Sequence, residues 1–262
     1  MQNASKELDL PRRHASPESN AETRFLRGYD PSTFERPSVA VDVALLSAFD
    51  GQLYTRLVQR DEHPFKGLWA LPGGFVRLDE SLDAAAARVL ARKAGLEHVY
   101  LEQLYTFGAP ARDPRMRVIT VAYYALVHRE LLASARGSEG PTEVARMEIP
   151  WEGETGGAVE LVNEAERRLK LSFDHAEILG MAVKRLRGKL DYTPVGFQLL
   201  PDRFTLLELQ RVHETVVGHP VNKDSFRRRM LASGQLEATG ESQRDVEHRP
   251  AELYRFSRRS AV

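Results

Sequence analysis

Three side chains spaced along one predicted helix have the types and the spacing that bear most directly on chemistry. Val89, Arg92 and Lys93 stand at positions i, i+3 and i+4, so they share one face of a helix. Three carboxylates in this arrangement could hold Mg²⁺, a hard cation that takes oxygen ligands. This chain has one apolar and two basic side chains there instead, and none of them supplies such a ligand. The basic pair is suited to contact a phosphate directly. The alternative is a solvated helix face, with Val89 turned to the core.

The surrounding residues match the pattern of the Nudix box. Residues 73–96 read GGFVRLDESLDAAAARVLARKAGL, and the positions of the box in register are Gly74, Glu80, Arg88, Leu90, Gly95 and Leu96. In the Nudix family, the positions occupied here by Val89, Arg92 and Lys93 carry the glutamates that bind metal and activate water. The resemblance therefore implies a scaffold that binds nucleoside diphosphates but has lost their hydrolysis. We expect no catalytic residue, no metal and no enzyme activity.

The sequence on either side of the box resembles the ADP-ribose-handling branch of the Nudix family. The similar segments are residues 58–76, VQRDEHPFKGLWALPGGFV, and 104–127, LYTFGAPARDPRMRVITVAYYALV. The resemblance and the side-chain chemistry together suggest arginines on the diphosphate or ribose and a phenyl ring on the adenine. The expected ligand-binding residues are Arg60, Phe65, Arg92, Arg112 and Arg115. For residues 112–115 the alternative is an ordinary polar turn between strands.

Three further side chains near these motifs are expected to have structural roles. Glu80, which survives from the box, is expected to orient Arg88 or the helix rather than to bind a metal alone. His175 has apolar neighbours on a predicted helix and is interpreted as a packing residue. Trp69 is interpreted as part of the core.

The predicted elements of the first part of the chain are a mixture of strands and helices. Segments rich in Val, Leu, Ile and Tyr predict strands over residues 38–48, 53–60 and 117–128. Apolar residues at helical spacing predict helices over residues 79–94 and 174–187. Gly95 is expected to end the first helix as a C-cap. Residues 134–157 are expected to be rich in loops.

A different module follows a break at residues 188–201, where Gly and Pro interrupt any long helix. Thr205 and Glu208 form a capping box that begins a helix over residues 205–217. Asn222 is expected to cap a second helix over residues 223–231, and alternating residues over about 235–257 predict a β-hairpin. Helix, short turn, helix and hairpin is the order of a winged helix-turn-helix.

The second helix of this module has the pattern of a DNA-reading helix. If Phe226 and Met230 face the core, Arg228 points away from it and Arg227 and Arg229 project to the two flanks. The central arginine is suited to read guanine and the flanking pair to contact phosphates. The expected DNA-binding residues are Lys223, Ser225, Arg227, Arg228 and Arg229, with His248 and Arg249 at the tip of the wing. The alternative is a charged, solvated helix on an interaction domain.

The combination of modules resembles the Nudix-related transcriptional regulators of bacterial NAD metabolism. The segments that carry this resemblance, besides the degenerate box, are FDHAEILGMAVKRLRGKLDYTPVGFQLLPDRFTLLELQ (residues 173–210) and HRPAELYRF (residues 248–256). The family implies an α+β protein, with an N-terminal Nudix domain (an α/β/α sandwich) followed by a winged helix-turn-helix domain. It also implies a homodimeric repressor of a palindromic operator in double-stranded DNA, relieved by ADP-ribose or a related NAD-derived effector. Some relatives respond to other small molecules.

The domain boundaries that we expect are a mobile tail over residues 1–35, a ligand-sensing domain over 36–190 and a DNA-binding domain over 191–262. The first twenty residues are polar and lack the apolar core of a signal peptide. No apolar stretch has the length of a membrane span, so we expect no membrane association. The chain has no cysteine, which excludes disulfides and thiolate metal sites and fits a cytoplasmic location.

Two other functions fit parts of the sequence. One is an active Nudix hydrolase of ADP-ribose-like nucleotides, which would use Asp79, Glu80 or Asp83 as surrogate acids and the C-terminal domain for dimerisation. The side chains at positions 89, 92 and 93 argue against it. The other is a metabolite-binding scaffold whose C-terminal domain contacts protein, and the layout of Arg227, Arg228 and Arg229 argues against that. The formal net charge of zero argues against non-specific binding of polyanions.

Overall fold

The computed structural model describes residues 17–137, 140–243 and 250–257, so the predicted wing-tip residues His248 and Arg249 lie outside the described residues. The chain divides into two units, one up to Arg36 and one from Pro37 onward. The first unit contains helix α1 (Pro17–Gly28) and a short 3₁₀ helix (Pro31–Thr33). Helix α1 thus lies within the segment expected to be a tail, whose first 16 residues lie outside the described residues. Proline is well tolerated in the first helical turn, and the following residues include good helix formers.

The second unit is built on a mixed sheet that has eight strands in the described part of the chain. Its strands are β1 (Ser38–Phe49), β2 (Gln52–Gln59), β3 (Trp69–Ala70), β4 (Gly73–Phe75), β5 (Tyr100–Phe107), β6 (Val118–Leu126), β7 (Thr142–Glu148) and β8 (Glu160–Val162). The order is β5-β6-β1-β2-β7-β8, with β3 paired to β2 and β4 to β1. Only β1 and β6 pair in parallel among these strands. The predicted strands are confirmed, whereas β7 lies in a segment expected to be loop-rich.

Helices cover both faces of this sheet. Helix α2 (Leu82–Ala94) and the short α3 (Arg129–Ser134) pack on one face, and α4 (His175–Leu190) packs on the other. Helix α2 begins later than expected because the Ser81 side chain caps it by accepting from the Ala84 N–H at 3.1 Å. Gly95 ends α2 with φ of 67°, as expected. A Cβ at Gly95 would also overlap the carbonyl oxygen of Arg136.

The C-terminal part of the chain forms the expected helix-turn-helix and hairpin. Its elements are a 3₁₀ helix (Pro194–Leu199), α5 (Leu206–Val217), α6 (Lys223–Ala232), β9 (Leu236–Ser242) and β10 (Glu252–Phe256). The capping box of Thr205 and Glu208 is confirmed, with hydrogen bonds in both directions. Gly218 ends α5 in the left-handed conformation. We call residues 38–190 the sheet module and residues 194–256 the winged module.

Helix α5 is buried on two sides. Leu206 and Leu209 belong to the core of the winged module, together with Phe226, Phe204 and Tyr254. Val212 and Val216 belong to the main core of the sheet module, which includes residues of β1, β2 and α4. The first helix of the winged module is therefore also a structural part of the sheet module.

His213, on α5, makes the stability of this junction dependent on pH. Its side chain is buried, and its ring meets that of Phe226 edge to face at 4.9 Å. Burial, aided by nearby Arg229, lowers the pKa of His213 from 6.5 to about 4. The folded protein therefore binds this proton less readily than the unfolded chain, and its stability falls as the pH drops from 6.5 to 4. A shift of this size corresponds to about 3 kcal/mol.

We expect His213→Gln to flatten the pH dependence of the free energy of unfolding between pH 7 and pH 4. Urea denaturation at a series of pH values measures this dependence, and the parent and the variant are compared by slope. His219→Gln is the matched control, because His219 is exposed in the same module. Equal slopes for the parent and for His213→Gln would show that His213 is not the titrating group.

Candidate functional site

A cavity of about 400 Å³ lies in the sheet module. Its wall combines residues of β1, β2, β4 and α2 with the turn at residues 112–115 and the segment that begins α4. The charged lining residues are four basic and four acidic: Arg60, Lys93, Arg112 and Arg115, and Asp42, Asp61, Glu62 and Asp113. The charges in the wall balance, so the binding of an anion depends on which cations are already paired with carboxylates.

Arg112 is paired within the protein. Its guanidinium donates to both carboxylate oxygens of Asp174, at 2.8 Å and 2.6 Å, and lies 3.5 Å from Asp42. The Arg112 side chain is only 4% exposed. Asp174 is the residue that precedes α4. Arg112 therefore connects the beginning of α4 to the sheet. This structural role does not require a ligand.

His175 is a packing residue, as expected, and it joins the same network. Its Nδ1 accepts from the Leu71 N–H at 3.0 Å, so the ring carries its proton on Nε2. That Nε2 lies 3.6 Å from Asp42. Burial lowers the pKa of His175, which keeps the ring neutral. The first residue of α4 is thus tied both to β1 and to the segment between β3 and β4.

Arg115 and Arg60 also line the cavity, and each has a partner within the protein. Arg115 is 41% exposed, and its guanidinium forms a two-point pair with the buried carboxylate of Asp113. Asp113 also accepts from the Arg115 N–H at 3.0 Å, so residues 112–115 do form an Asp-centred turn. The Arg60 guanidinium donates to the carbonyl of Pro64 at 2.7 Å.

Phe173 and Phe75 are aromatic residues of the cavity wall that were not among the expected ligand-binding residues. The Arg60 guanidinium lies 4.9 Å from the centre of the Phe173 ring. Phe65, the expected adenine platform, is not among the lining residues but packs edge to face on Phe173 at 4.9 Å. Phe173 has φ of 53°, a conformation rarely adopted by a residue with a bulky side chain. The segment FDHAEILG contained this residue, but nothing in its periodicity marks Phe173 as a wall residue.

On α2, the three side chains at the positions of the missing glutamates point to different places. Val89 is buried between α2 and the sheet. Lys93 lines the cavity, whereas Arg92 is exposed and is not among the lining residues. The geometry therefore favours Lys93 over Arg92 as the residue of this helix that meets a ligand.

Two acidic side chains near the box, Glu80 and Asp83, already have partners within the protein. Glu80 accepts from the Arg88 guanidinium at 2.8 Å and from the Arg77 N–H at 2.8 Å, which lowers the pKa of Glu80 to about 2. Glu80 thus orients Arg88, as expected. Asp83 accepts from the Tyr123 hydroxyl at 2.6 Å. Among the residues that the structure describes, no three His, Cys, Asp or Glu side chains are placed to hold a metal ion.

The second candidate site is the outer face of α6. Phe226 and Met230 are buried, and the predicted DNA-binding residues of this helix are all exposed: Lys223, Ser225, Arg227, Arg228 and Arg229. Asn222 caps the helix by accepting from the Ser225 N–H at 2.9 Å. The Arg229 guanidinium lies 3.8 Å from Asp191, next to the end of α4. The structure thus leaves all three arginines of α6 exposed to solvent.

Comparison with known proteins finds one family match in each of the two modules. Residues 36–155 match the NUDIX domain family, and residues 196–256 match the family described as the NrtR DNA-binding winged helix domain. Over 244 residues the chain is 38% identical to the ADPR responsive transcriptional repressor NtrR of Acinetobacter baylyi. The matched region covers 91% of this chain and 89% of that relative.

Solved structures of similar proteins cover most of the chain. The structure of Shewanella oneidensis NrtR complexed with a 27mer DNA superimposes with a TM-score of 0.67 and 36% identity, over 83% of this chain and 93% of that one. A MutT/nudix family protein from Enterococcus faecalis superimposes with a TM-score of 0.73 and 29% identity, over 93% and 95% of the two chains.

In the described residues no helix is both long and apolar enough to cross a membrane.

Proposed function

This chain belongs to the NrtR family of transcriptional regulators, and we propose that it is a repressor that leaves its DNA site when ADP-ribose binds. The observation that carries this proposal is the exposed arginine face of α6, in a winged helix module of the NrtR type. A winged helix-turn-helix presents such a face to the major groove. The similar repressor from Acinetobacter baylyi is described as ADPR responsive, which supports ADP-ribose as the effector.

The sheet module supplies the sensor in this proposal. Lys93, Arg60 and Arg115 are the cations that a diphosphate entering the cavity would meet, and Phe173 offers an aromatic face beside them. Hydrolysis would require a metal held by carboxylates on α2. That helix carries Val89 and Lys93 at the relevant positions, and the nearby Glu80 and Asp83 have protein partners. We therefore propose that ADP-ribose is bound and released unchanged.

The DNA-bound form in this proposal is a homodimer on a palindromic site. Two copies of α6 would read half-sites about 34–36 Å apart, and a rigid dimer tolerates only small deviations from this spacing. A ligand that moves most of the protein off its site must prefer the released arrangement by about 5.5 kcal/mol.

The proposed function is tested by titrating ADP-ribose into a complex of the protein with duplex DNA from upstream of its own gene. We expect fluorescence anisotropy to show dissociation, and chromatography to recover the ADP-ribose intact after incubation with Mg²⁺ or Mn²⁺. Release of AMP at the usual enzymatic rates, roughly 1–10³ per second, would support the alternative of an active hydrolase. Unchanged DNA binding at saturating ADP-ribose would contradict the repressor proposal.

Lys93→Ala is expected to weaken ADP-ribose binding by about 10- to 100-fold, the worth of a hydrogen bond to a charged group, about 1.5–3 kcal/mol. Arg92→Ala is the matched control and is expected to have little effect, because Arg92 does not line the cavity. Isothermal titration calorimetry measures both affinities. Because Lys93 stands at a metal-ligand position, chelation with EDTA is expected to leave the parent affinity unchanged. A requirement for Mg²⁺, or equal losses in the two variants, would contradict this assignment.

A further inference from the structure

Helix α4 physically connects the cavity to the winged module. Its first residue, His175, and the preceding Phe173 line the cavity. From His175 to Arg187 the helix is uninterrupted and about 18 Å long, at 1.5 Å per residue. The buried residues Leu186 and Leu190 near its end share a core with Val212 and Val216 of α5. A displacement of the start of α4 by a ligand therefore reaches α5.

Arg187 makes directional contacts with α5 at the far end of α4. Its guanidinium donates to the carbonyl of Val216, in the last turn of α5, at 2.8 Å. It also donates to the carbonyl of Gly153 at 2.8 Å and lies 4.9 Å from the centre of the Trp151 ring. A cation at the C-terminal end of a helix stabilises its unpaired carbonyls. Arg187 thereby holds the end of α5, the loop at Trp151–Gly153 and the last turns of α4 in one arrangement.

The end of α5 in turn sets the start of α6. Gly218 turns the chain with φ of 84°, and its N–H donates to the Glu214 carbonyl at 2.9 Å. The side chain of Glu214 accepts from the Val221 N–H at 3.0 Å, one residue before the cap of α6 at Asn222. The Val216 carbonyl that Arg187 holds is therefore linked to the start of α6 through the turn at Gly218 and the hydrogen bond from Val221 to Glu214.

We infer that Arg187 is the positioning residue that transmits the state of the cavity to α6, an inference that rests on the proposed function. The apolar contacts between α4 and α5 lack direction, so they permit small rotations of one helix on the other. A planar guanidinium that bonds two carbonyls fixes both angle and register. Without it the two modules remain packed, but a shift of α4 is absorbed at the interface instead of moving α6.

The test compares four full-length proteins: the parent, Arg187→Gln, Arg187→Lys and Arg185→Gln. Arg185 lies on the same helix, but its guanidinium donates to the Leu104 carbonyl within the sheet module, so Arg185→Gln is the matched control for loss of one charge. Calorimetry gives the ADP-ribose affinity, and anisotropy gives the affinity for the duplex with and without saturating ADP-ribose. The ratio of the two DNA affinities is the coupling factor.

Both Arg187 variants are expected to keep each separate affinity within about threefold of the parent and to lower the coupling factor at least tenfold. Neither the amide of Gln nor the ammonium of Lys can form the two-carbonyl fork of a guanidinium. Arg185→Gln is expected to keep the parent factor. If Arg187→Gln fails to fold, as judged by circular dichroism, Arg187→Lys decides the outcome. A parent-like coupling factor in a folded Arg187 variant overturns the inference alone. Absence of coupling in the parent contradicts the proposed function, and with it the inference.

Discussion

Arg228→Ala is expected to weaken binding to the DNA site by about 1–3 kcal/mol and to relax the preference for one base pair. Arg228 lies on the exposed face of α6, opposite the buried pair Phe226 and Met230. We expect a side chain in that position to reach the floor of the major groove, where an arginine can bond two acceptors of guanine. Loss of that contact removes sequence information as well as affinity.

Arg227→Ala and Arg229→Ala are expected to act differently from Arg228→Ala. They are expected to weaken binding evenly across sequences and to reduce the salt dependence by about one phosphate contact each. Their side chains project to either side of Arg228 on α6, and the Arg229 guanidinium lies 3.8 Å from Asp191.

Anisotropy measurements with a set of single-base variants of the duplex, over a range of salt concentrations, separate the two effects. Arg168→Ala is the control, because Arg168 is an exposed arginine of the sheet module. Parent-like binding by all three α6 variants would show that this helix does not read DNA.

Replacement of Arg112 by methionine is expected to lower the free energy of unfolding by about 3–5 kcal/mol. Arg112 is almost fully buried, and its removal leaves the carboxylates of Asp174 and Asp42 without their cation. Breaking one side of a buried ion pair costs more than the pair itself contributes, because the remaining charge has been taken out of water. Urea denaturation measures the loss.

The double variant Arg112→Met/Asp174→Asn is expected to recover part of this loss, since one uncompensated carboxylate is then neutral. Arg115→Met is the matched control: Arg115 is in the same turn but is 41% exposed, so a smaller loss is expected. A loss below about 1 kcal/mol for Arg112→Met would show that the pair is solvated. The result also affects ligand studies, because a failure of an Arg112 variant to bind ADP-ribose does not identify Arg112 as a ligand contact.

The features that the sequence predicted well are those encoded over a few residues. The capping box at Thr205, the glycine cap at Gly95, and the buried pair Phe226 and Met230 follow from local spacing, and all are confirmed. The degenerate box is of the same kind, since one helix carries it. Local hydrogen bonding and helical periodicity decide such features before any tertiary contact forms.

The features that the sequence did not reveal depend on contacts between distant residues. Arg112 and Asp174 are separated by 62 positions, so no local pattern marks them as a buried pair. The choice between Arg92 and Lys93 depends on the rotation of α2 relative to the sheet, which the spacing of charges does not specify. Strand β7 lies in residues 134–157, which were expected to be rich in loops because of the stretches SARGSEGPTE and EGETGGA. Its pairing with β2 and β8 stabilises it. Tertiary pairing overrides weak local propensity in such a strand.

The two buried faces of α5 bear on how this architecture can be taken apart or recombined. A chain divided at the Gly- and Pro-rich break before α5 would separate Val212 and Val216 from the core that they share with β1, β2 and α4. Each half would then expose an apolar surface, the kind of patch that promotes aggregation. A hybrid regulator that joins a new sensor to this DNA-binding part therefore has to redesign the outer face of α5 along with the junction. Helix α5 therefore contributes to the cores of both modules, and neither core is complete without it.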